Sequence, residues 1–232
     1  MGEATGMTSD TDRSTRRARR GLTRRSAGLA LLVAAVAPRF SARAAGATRI
    51  VALGDSLTAG YGLKPRDAFP ARLQAALTAH GVAAQVINAG VSGDTTAGGL
   101  RRLDWVLAER PDAVIVELGA NDGRRGIDPR TTYANLDAIL ERLGAARVTV
   151  LLTGMYAPPN LGRDYGALFN GVFPTLAKRH GVDLYPFFLD GVALRPSLNQ
   201  PDGVHPNAKG VAVIVERMLP YVKRLVARAG GS

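Results

Sequence analysis

From Thr48 onward the chain alternates short, mostly apolar runs with longer stretches in which apolar residues recur every three or four positions. The short runs are Arg49–Leu53, Gln85–Asn88, Ala113–Leu118, Arg147–Thr153 and Val182–Tyr185. Rich in Val, Ile and Leu and lacking a consistent polar face, they predict strands buried on both sides. Helical spacing marks Phe69–His80, Thr95–Glu109, Pro129–Leu143, Tyr165–His180 and Ala208–Ala229. In the third of these the stripe is Tyr133, Leu136, Ile139, Leu140 and Leu143. Pro70 near the start and Gly81 past the end frame the first helix. Pro174 and Pro220 fall inside the last two, and are expected to kink or restart them. This alternation predicts an α/β fold in one domain, a five-stranded parallel sheet covered on both faces through right-handed crossovers.

Residues 1–44 follow another pattern. Arg13, Arg16, Arg17, Arg19, Arg20, Arg24 and Arg25 precede an apolar run, Ala27–Ala37, and Ala42-Arg43-Ala44 supplies the small residues of an A-x-A cleavage site. Eleven residues span about 16 Å as a helix, too short for a bilayer and suited to a signal peptide. Thr23-Arg24-Arg25-Ser26-Ala27-Gly28-Leu29 resembles a twin-arginine signal. The expected division is a signal peptide over 1–44 and one folded domain over 45–232, exported to the periplasm or secreted. A disordered basic tail carrying a short surface helix is the plainer reading of the same segment.

The leader also explains the charge. The chain has 232 residues and a net charge of +11. Nine arginines against Glu3, Asp10 and Asp12 place six of those charges in residues 1–44 and five in the remainder. No basic run interleaved with aromatics follows, so nucleic acid is not an expected partner. No apolar run reaches about 18 residues, so no membrane insertion is expected, although contact with lipid substrates is allowed. The absence of cysteine excludes disulfides, thiolate metal sites and a cysteine nucleophile.

Ligands of such sheets bind at the carboxyl ends of the strands. There the chain carries Gly54-Asp55-Ser56-Leu57-Thr58-Ala59-Gly60-Tyr61-Gly62, Asn88-Ala89-Gly90-Val91-Ser92-Gly93-Asp94-Thr95, Gly119-Ala120-Asn121-Asp122-Gly123 and, beyond the fifth strand, Asp202-Gly203-Val204-His205-Pro206-Asn207. His80 and His180 each end a predicted helix before a Gly, where an imidazole meets the negative helix end. His205 has no such explanation. Asp202, three residues earlier, is placed to orient it as a general base, while a metal ligand or a capping pair remains the alternative for an Asp-x-x-His. Without cysteine the nucleophile is a hydroxyl: Ser56 in the Gly-flanked turn after the first strand, with Ser92 as competitor. The Ser56 N–H, the unencumbered Gly93 N–H and the Asn121 amide are candidate oxyanion donors, though Gly93 and Asn121 read singly are ordinary turn residues. Asp55, Asp94 and Asp122 read as loop braces that accept from backbone amides.

The four blocks GDSLTAGYG, NAGVSGDT, GAND and DGVHPN resemble the signature blocks of the SGNH (GDSL) hydrolases, in that family's order. The resemblance covers nearly all of 48–226 and agrees closely with the bacterial arylesterase, acyl-CoA thioesterase and lysophospholipase branch. It implies a flavodoxin-like three-layer α/β/α sandwich and hydrolysis of small-molecule esters or thioesters through an acyl-enzyme. Ser56, Asp202 and His205 would be catalytic, with Ser56, Gly93 and Asn121 as the oxyanion hole. It implies no cofactor and no metal, and a monomer is favoured. Met155-Tyr156-Ala157-Pro158-Pro159-Asn160-Leu161 departs from relatives where the acyl groove would lie, with Leu57, Tyr156, Pro158 and Leu161 as its expected apolar wall. A carbohydrate acetylesterase of the same fold, a non-catalytic flavodoxin-like binding module and a pseudoenzyme are the competing readings.

Overall fold

A computed structural model describes residues 46–230. The expected leader, with its cleavage site after Ala44, lies outside the described residues. Five parallel strands, β1 Thr48–Gly54, β2 Ala84–Gly90, β3 Ala113–Glu117, β4 Thr149–Thr153 and β5 Asp183–Tyr185, form one sheet in the order β2-β1-β3-β4-β5. Every residue of β3 is buried and β1 nearly so, which accounts for apolar runs without a polar face. The strand order turns back at β1, so the crevice for a ligand lies at the carboxyl ends of β1 and its neighbours. Register aligns those ends, because Gly54 of β1 pairs with Gly90 of β2 and with Glu117 of β3. Loops leaving all three strands therefore start at one level.

The helices are α1 Ser56–Ala59, α2 Phe69–Ala79, α3 Thr96–Arg101, α4 Leu103–Ala108, α5 Ala120–Arg124, α6 Pro129–Ala145, α7 Arg163–His180 and α8 Ala208–Gly230. Right-handed crossovers put α2 on one face of the sheet, where it packs against α8. On the other face α6 packs against α3 and α7. Phe69, Leu73, Phe169, Phe173 and Phe188 fill the layers from outside, against Ile50, Leu53 and Ile115 of the sheet.

Three expectations are corrected. Thr95–Glu109 is two helices, broken at Arg102 (φ −102, ψ 11), since Gly98 and Gly99 lower helix propensity and Arg102 turns its guanidinium toward the sheet. Arg147 cannot begin the fourth strand because it stands at φ 58, in the turn that closes α6. Pro174 and Pro220 do not restart their helices. Both prolines face solvent, while apolar stripes on the opposite sides pin α7 and α8 to the core.

The edges of the sheet differ. β5 has three residues. β2 is longer, and the Gln74 side chain covers its start: Oε1 accepts from the Val86 N–H at 2.8 Å and Nε2 donates to the Ala84 carbonyl at 3.0 Å.

Candidate active site

Asp55 follows β1 as the cap of α1, its Oδ1 accepting the Leu57 N–H at 2.9 Å. Ser56 is thereby the first residue of the helix, a position whose N–H has no acceptor within the helix. Its Oγ lies 2.9 Å from His205 Nε2, across 149 positions of chain. His205 Nδ1 lies 2.7 Å from Asp202 Oδ2. Asp202 Oδ1 accepts the Val204 and His205 N–H groups, at 2.9 and 3.0 Å. The His205 backbone N–H, then its ring and the Val204 N–H, hold the Asp202 carboxyl down at about 2. An ionised carboxylate accepts only, so Nδ1 carries the imidazole proton. Nε2 of the neutral ring is then left as acceptor for the serine hydroxyl.

Gly93 stands at φ 84 in a turn closed by the Asp94 N–H on the Val91 carbonyl, a conformation that excludes ordinary side chains. The space before it is open, since a Cβ built there meets nothing nearer than Arg125 Nη2 at 3.9 Å. Asn121, in the first turn of α5, sends Nδ2 to Asp55 Oδ2 at 2.9 Å and to the Asp94 carbonyl at 2.8 Å. Both amide hydrogens have protein acceptors at rest. An oxyanion must take one of them over.

Beneath the serine turn lies a second carboxyl. Glu117, the last residue of β3, is fully buried; its Oε2 accepts the Thr58 hydroxyl at 2.7 Å and the Asp55 N–H at 3.3 Å. Its Oε1 has no partner. Burial first, then the nearby Asp55 charge, raise its pKa well above the usual carboxylate range, against the Thr58 hydroxyl that favours its charged form. Burial likewise lifts Asp55 to about 6, against the Leu57 N–H and the Asn121 amide that favour its charged form. Gly54 cannot be larger, because a Cβ would stand 2.1 Å from Thr58 Oγ1 and 2.6 Å from Glu117 Oε2.

Other expected residues fall as follows. Ser92 is exposed, and the His205 ring is engaged by Ser56. His80 bonds the Ala76 carbonyl and His180 bonds Asp137, both at helix ends. Asp122 braces the Thr96 N–H at 2.9 Å. Asp94 does not brace an amide with its side chain; it accepts from Arg102 Nε at 2.6 Å, and the same guanidinium donates to the Ala89 and Gly54 carbonyls. Leu57 is buried in the core and offers little surface to a groove. Tyr156 is exposed and stacks on Phe187 with centroids 4.4 Å apart. Pro158 and Leu161 lie against Gly123 and Gly126, beyond Asn121. The Tyr61 ring, which sequence reasoning passed over, sits 4.7 Å from the His205 ring. Among the described residues, no group of three His, Cys, Asp or Glu is placed to hold a metal ion.

The GDSL-like lipase/acylhydrolase family model matches residues 52–213. The chain is 41% identical over 185 residues to the thioesterase 1/protease 1/lysophospholipase L1 of Escherichia coli, covering 79% of this chain and 88% of that protein. It is 38% identical over 178 residues to an arylesterase of Vibrio mimicus, covering 76% and 89%. A solved SGNH-hydrolase family esterase, AlinE4, superposes with a TM-score of 0.66 at 49% identity, over 77% of this chain and 96% of that one. The chain therefore belongs to the GDSL-like lipase/acylhydrolase family and is a serine hydrolase of the SGNH class with a flavodoxin-like α/β fold.

Proposed function

We propose that the protein hydrolyses small-molecule carboxylic esters and thioesters, aryl esters, acyl-CoA and lysophospholipids among them, through an acyl-enzyme on Ser56. The observation that carries this is the chain of contacts from Ser56 Oγ to His205 Nε2 at 2.9 Å and from His205 Nδ1 to Asp202 Oδ2 at 2.7 Å. As Ser56 Oγ attacks the acyl carbon, its proton passes to Nε2, and Asp202 stabilises the imidazolium that results. The carbonyl oxygen, now negative, is met by the Ser56 and Gly93 N–H groups and the Asn121 amide. Collapse breaks the bond to the alkoxide or thiolate, which leaves with the proton from Nε2. Water then attacks the acyl-serine with His205 as base and frees the carboxylic acid. Tyr156, Pro158 and Leu161 supply apolar surface for the acyl chain, with Leu57 beneath. None of these steps calls for a cofactor.

A fluorophosphonate probe tests this directly. One equivalent should attach at Ser56, located by peptide mass, and abolish hydrolysis of p-nitrophenyl esters; labelling at Ser92, or none, overturns it. The Arg-rich leader supports export to the periplasm or beyond, with residues 45–232 as the hydrolase. Among the described residues no helix is long and apolar enough to cross a membrane. N-terminal sequencing of the exported form should begin at or within a residue or two of Ala45. A chain retained in the cytoplasm and starting at Met1 or Met7 removes this part of the proposal.

A further inference from the structure

The loop that carries Asp202 and His205 is closed largely on itself. The Gln200 N–H donates to the His205 carbonyl at 2.7 Å and the Gly203 N–H to the Gln200 carbonyl at 2.9 Å. Asn199 and Asn207 tie the base of the loop to the Val192, Arg195 and Ser197 carbonyls. Pro201, Asp202 and Gly203 are exposed, so little apolar burial fixes the loop against the rest of the molecule. Among the described residues, two hydrogen bonds join it to the turn of the nucleophile. One is His205 Nε2 to Ser56 Oγ. The other is the Gln200 side chain, whose Nε2 donates to the Tyr61 carbonyl at 2.7 Å and to the Pro206 carbonyl at 3.0 Å. A single amide thus bridges the carbonyl of the residue after His205 and that of a residue five beyond Ser56. The turn leaves room for it: Gly62 stands at φ 73, and a Cβ there would lie 2.2 Å from Gln200 Oε1. Tyr61, whose backbone Gln200 holds, lays its ring beside the His205 ring.

These two bonds have different fates during turnover. Acylation esterifies Ser56 Oγ, which then has no proton to give His205, and that link is lost just when the imidazole must aim at water. The Gln200 bridge touches no reacting atom and persists. We propose that Gln200 is a positioning residue for the second half of the reaction, holding His205 in register over the acyl-enzyme while the serine bond is absent. The inference rests on the assignment of Ser56 and His205 above. Before acylation the serine hydroxyl shares the task, so removing the Gln200 amide should slow deacylation far more than acylation.

Gln200→Met keeps length and packing and removes both donated bonds. The probe is p-nitrophenyl dimethylcarbamate, which transfers its carbamoyl group to a catalytic serine, releases p-nitrophenol, and leaves an adduct whose hydrolysis is slow enough to follow by return of esterase activity. Fluorophosphonate titration counts competent sites, and a thermal melt checks the fold. The expected result is recovery about tenfold slower than wild type, the scale of one lost hydrogen bond, with carbamoylation within about threefold. On a short p-nitrophenyl ester kcat and KM should then fall together. An unchanged recovery rate overturns the inference, as does activity that falls only in proportion to the count of competent sites, which is what a purely structural glutamine would give. Should Gln200→Met fail to fold, Gln200→Leu is read by the same recovery rate per titrated site. A wild-type enzyme that takes up neither carbamate nor fluorophosphonate removes the Ser56 assignment itself; normal labelling with unaffected recovery removes only Gln200.

Discussion

The turn 54–62 and the loop 199–206 are joined by two hydrogen bonds, and each places an aspartate close to the one between Ser56 and His205, in environments of opposite kind. Asp55 is fully buried over an acid, Glu117, that is itself without contact with water, and burial lifts it to about 6. Asp202 stands 41% exposed and is drawn down to about 2 by N–H groups of its own loop and the His205 ring. The nucleophile is held by a rigid, desolvated floor; the base hangs on a wet loop whose order comes from hydrogen bonds. The difference suits the work. Ser56 must stay fixed while its oxygen changes partners, whereas His205 must face first the serine, then the leaving group, then water.

The largest effects should come from severing the bond between Ser56 and His205. Ser56→Ala should lower ester hydrolysis by roughly 10³-fold or more and abolish fluorophosphonate labelling with the fold intact, and His205→Ala should do nearly as much harm. Asp202→Ala should be milder than either. Equal losses for Asp202 and His205 would mean that the loop has no order of its own without the carboxylate.

Next comes Asn121, which belongs to the buried side by its bonds and to the reaction by its proposed role. Asn121→Ala should lower kcat by about 10²–10³ with KM little changed, and Asn121→Asp should be at least as damaging because it sets a carboxylate against Asp55. An unchanged kcat with a lowered melting temperature would leave Asn121 as a brace between Asp55 and Asp94 and nothing more.

Glu117 tests whether the floor depends on charge or on shape. Glu117→Ala should cost about 2–4 kcal/mol, from the cavity and the stranded Thr58 hydroxyl. Glu117→Gln, isosteric with a neutral acid, should melt close to wild type at pH 7. A large loss in the glutamine variant would show that Glu117 is ionised.

The smallest effect separates the aspartates by pH. Asp202 is depressed from 3.8 to about 2, so its stabilisation is complete above pH 4 and lost as pH falls toward 2. Asp55 is raised from 3.8 to about 6, so the folded state binds its proton more tightly than the unfolded chain, and stability falls as pH climbs from 4 to 6. In thermal melts Asp55→Asn should flatten the upper window and leave the lower one alone, and Asp202→Asn the reverse. Matching profiles for the two variants would end the distinction between buried and exposed aspartates.

Sequence pattern alone located the five strands and the four blocks at their ends, because buried parallel strands and Gly-rich loops leave a local mark. What it missed depends on partners distant in the chain. Glu117 looked like the end of a strand, and its raised pKa comes from burial and then from the charge of Asp55, 62 positions away, against the hydroxyl of Thr58, 59 positions away. Arg102 broke a helix that its apolar spacing predicted whole, because its acceptors lie on Gly54 and Ala89. Gln200 carries no signal at all until Tyr61 is seen 139 positions earlier. Leu57 follows the nucleophile and was read as groove wall, yet the register that seats Ser56 turns it into the core.

Gln74 bears on how the protein keeps company with copies of itself. An open edge of a parallel sheet offers a row of peptide groups to any passing strand, and association of that kind ends in aggregates. β5 limits the offer by stopping after three residues. β2 is seven residues long, and at its start one carboxamide stands in for the missing neighbour, meeting the Val86 N–H and the Ala84 carbonyl as a sixth strand would. Farther along, the Asn88 side chain accepts the Gly90 N–H. Side chains thus take up part of the edge that backbone leaves open, and a strand arriving at β2 finds the Ala84 carbonyl and the Val86 and Gly90 N–H groups already engaged.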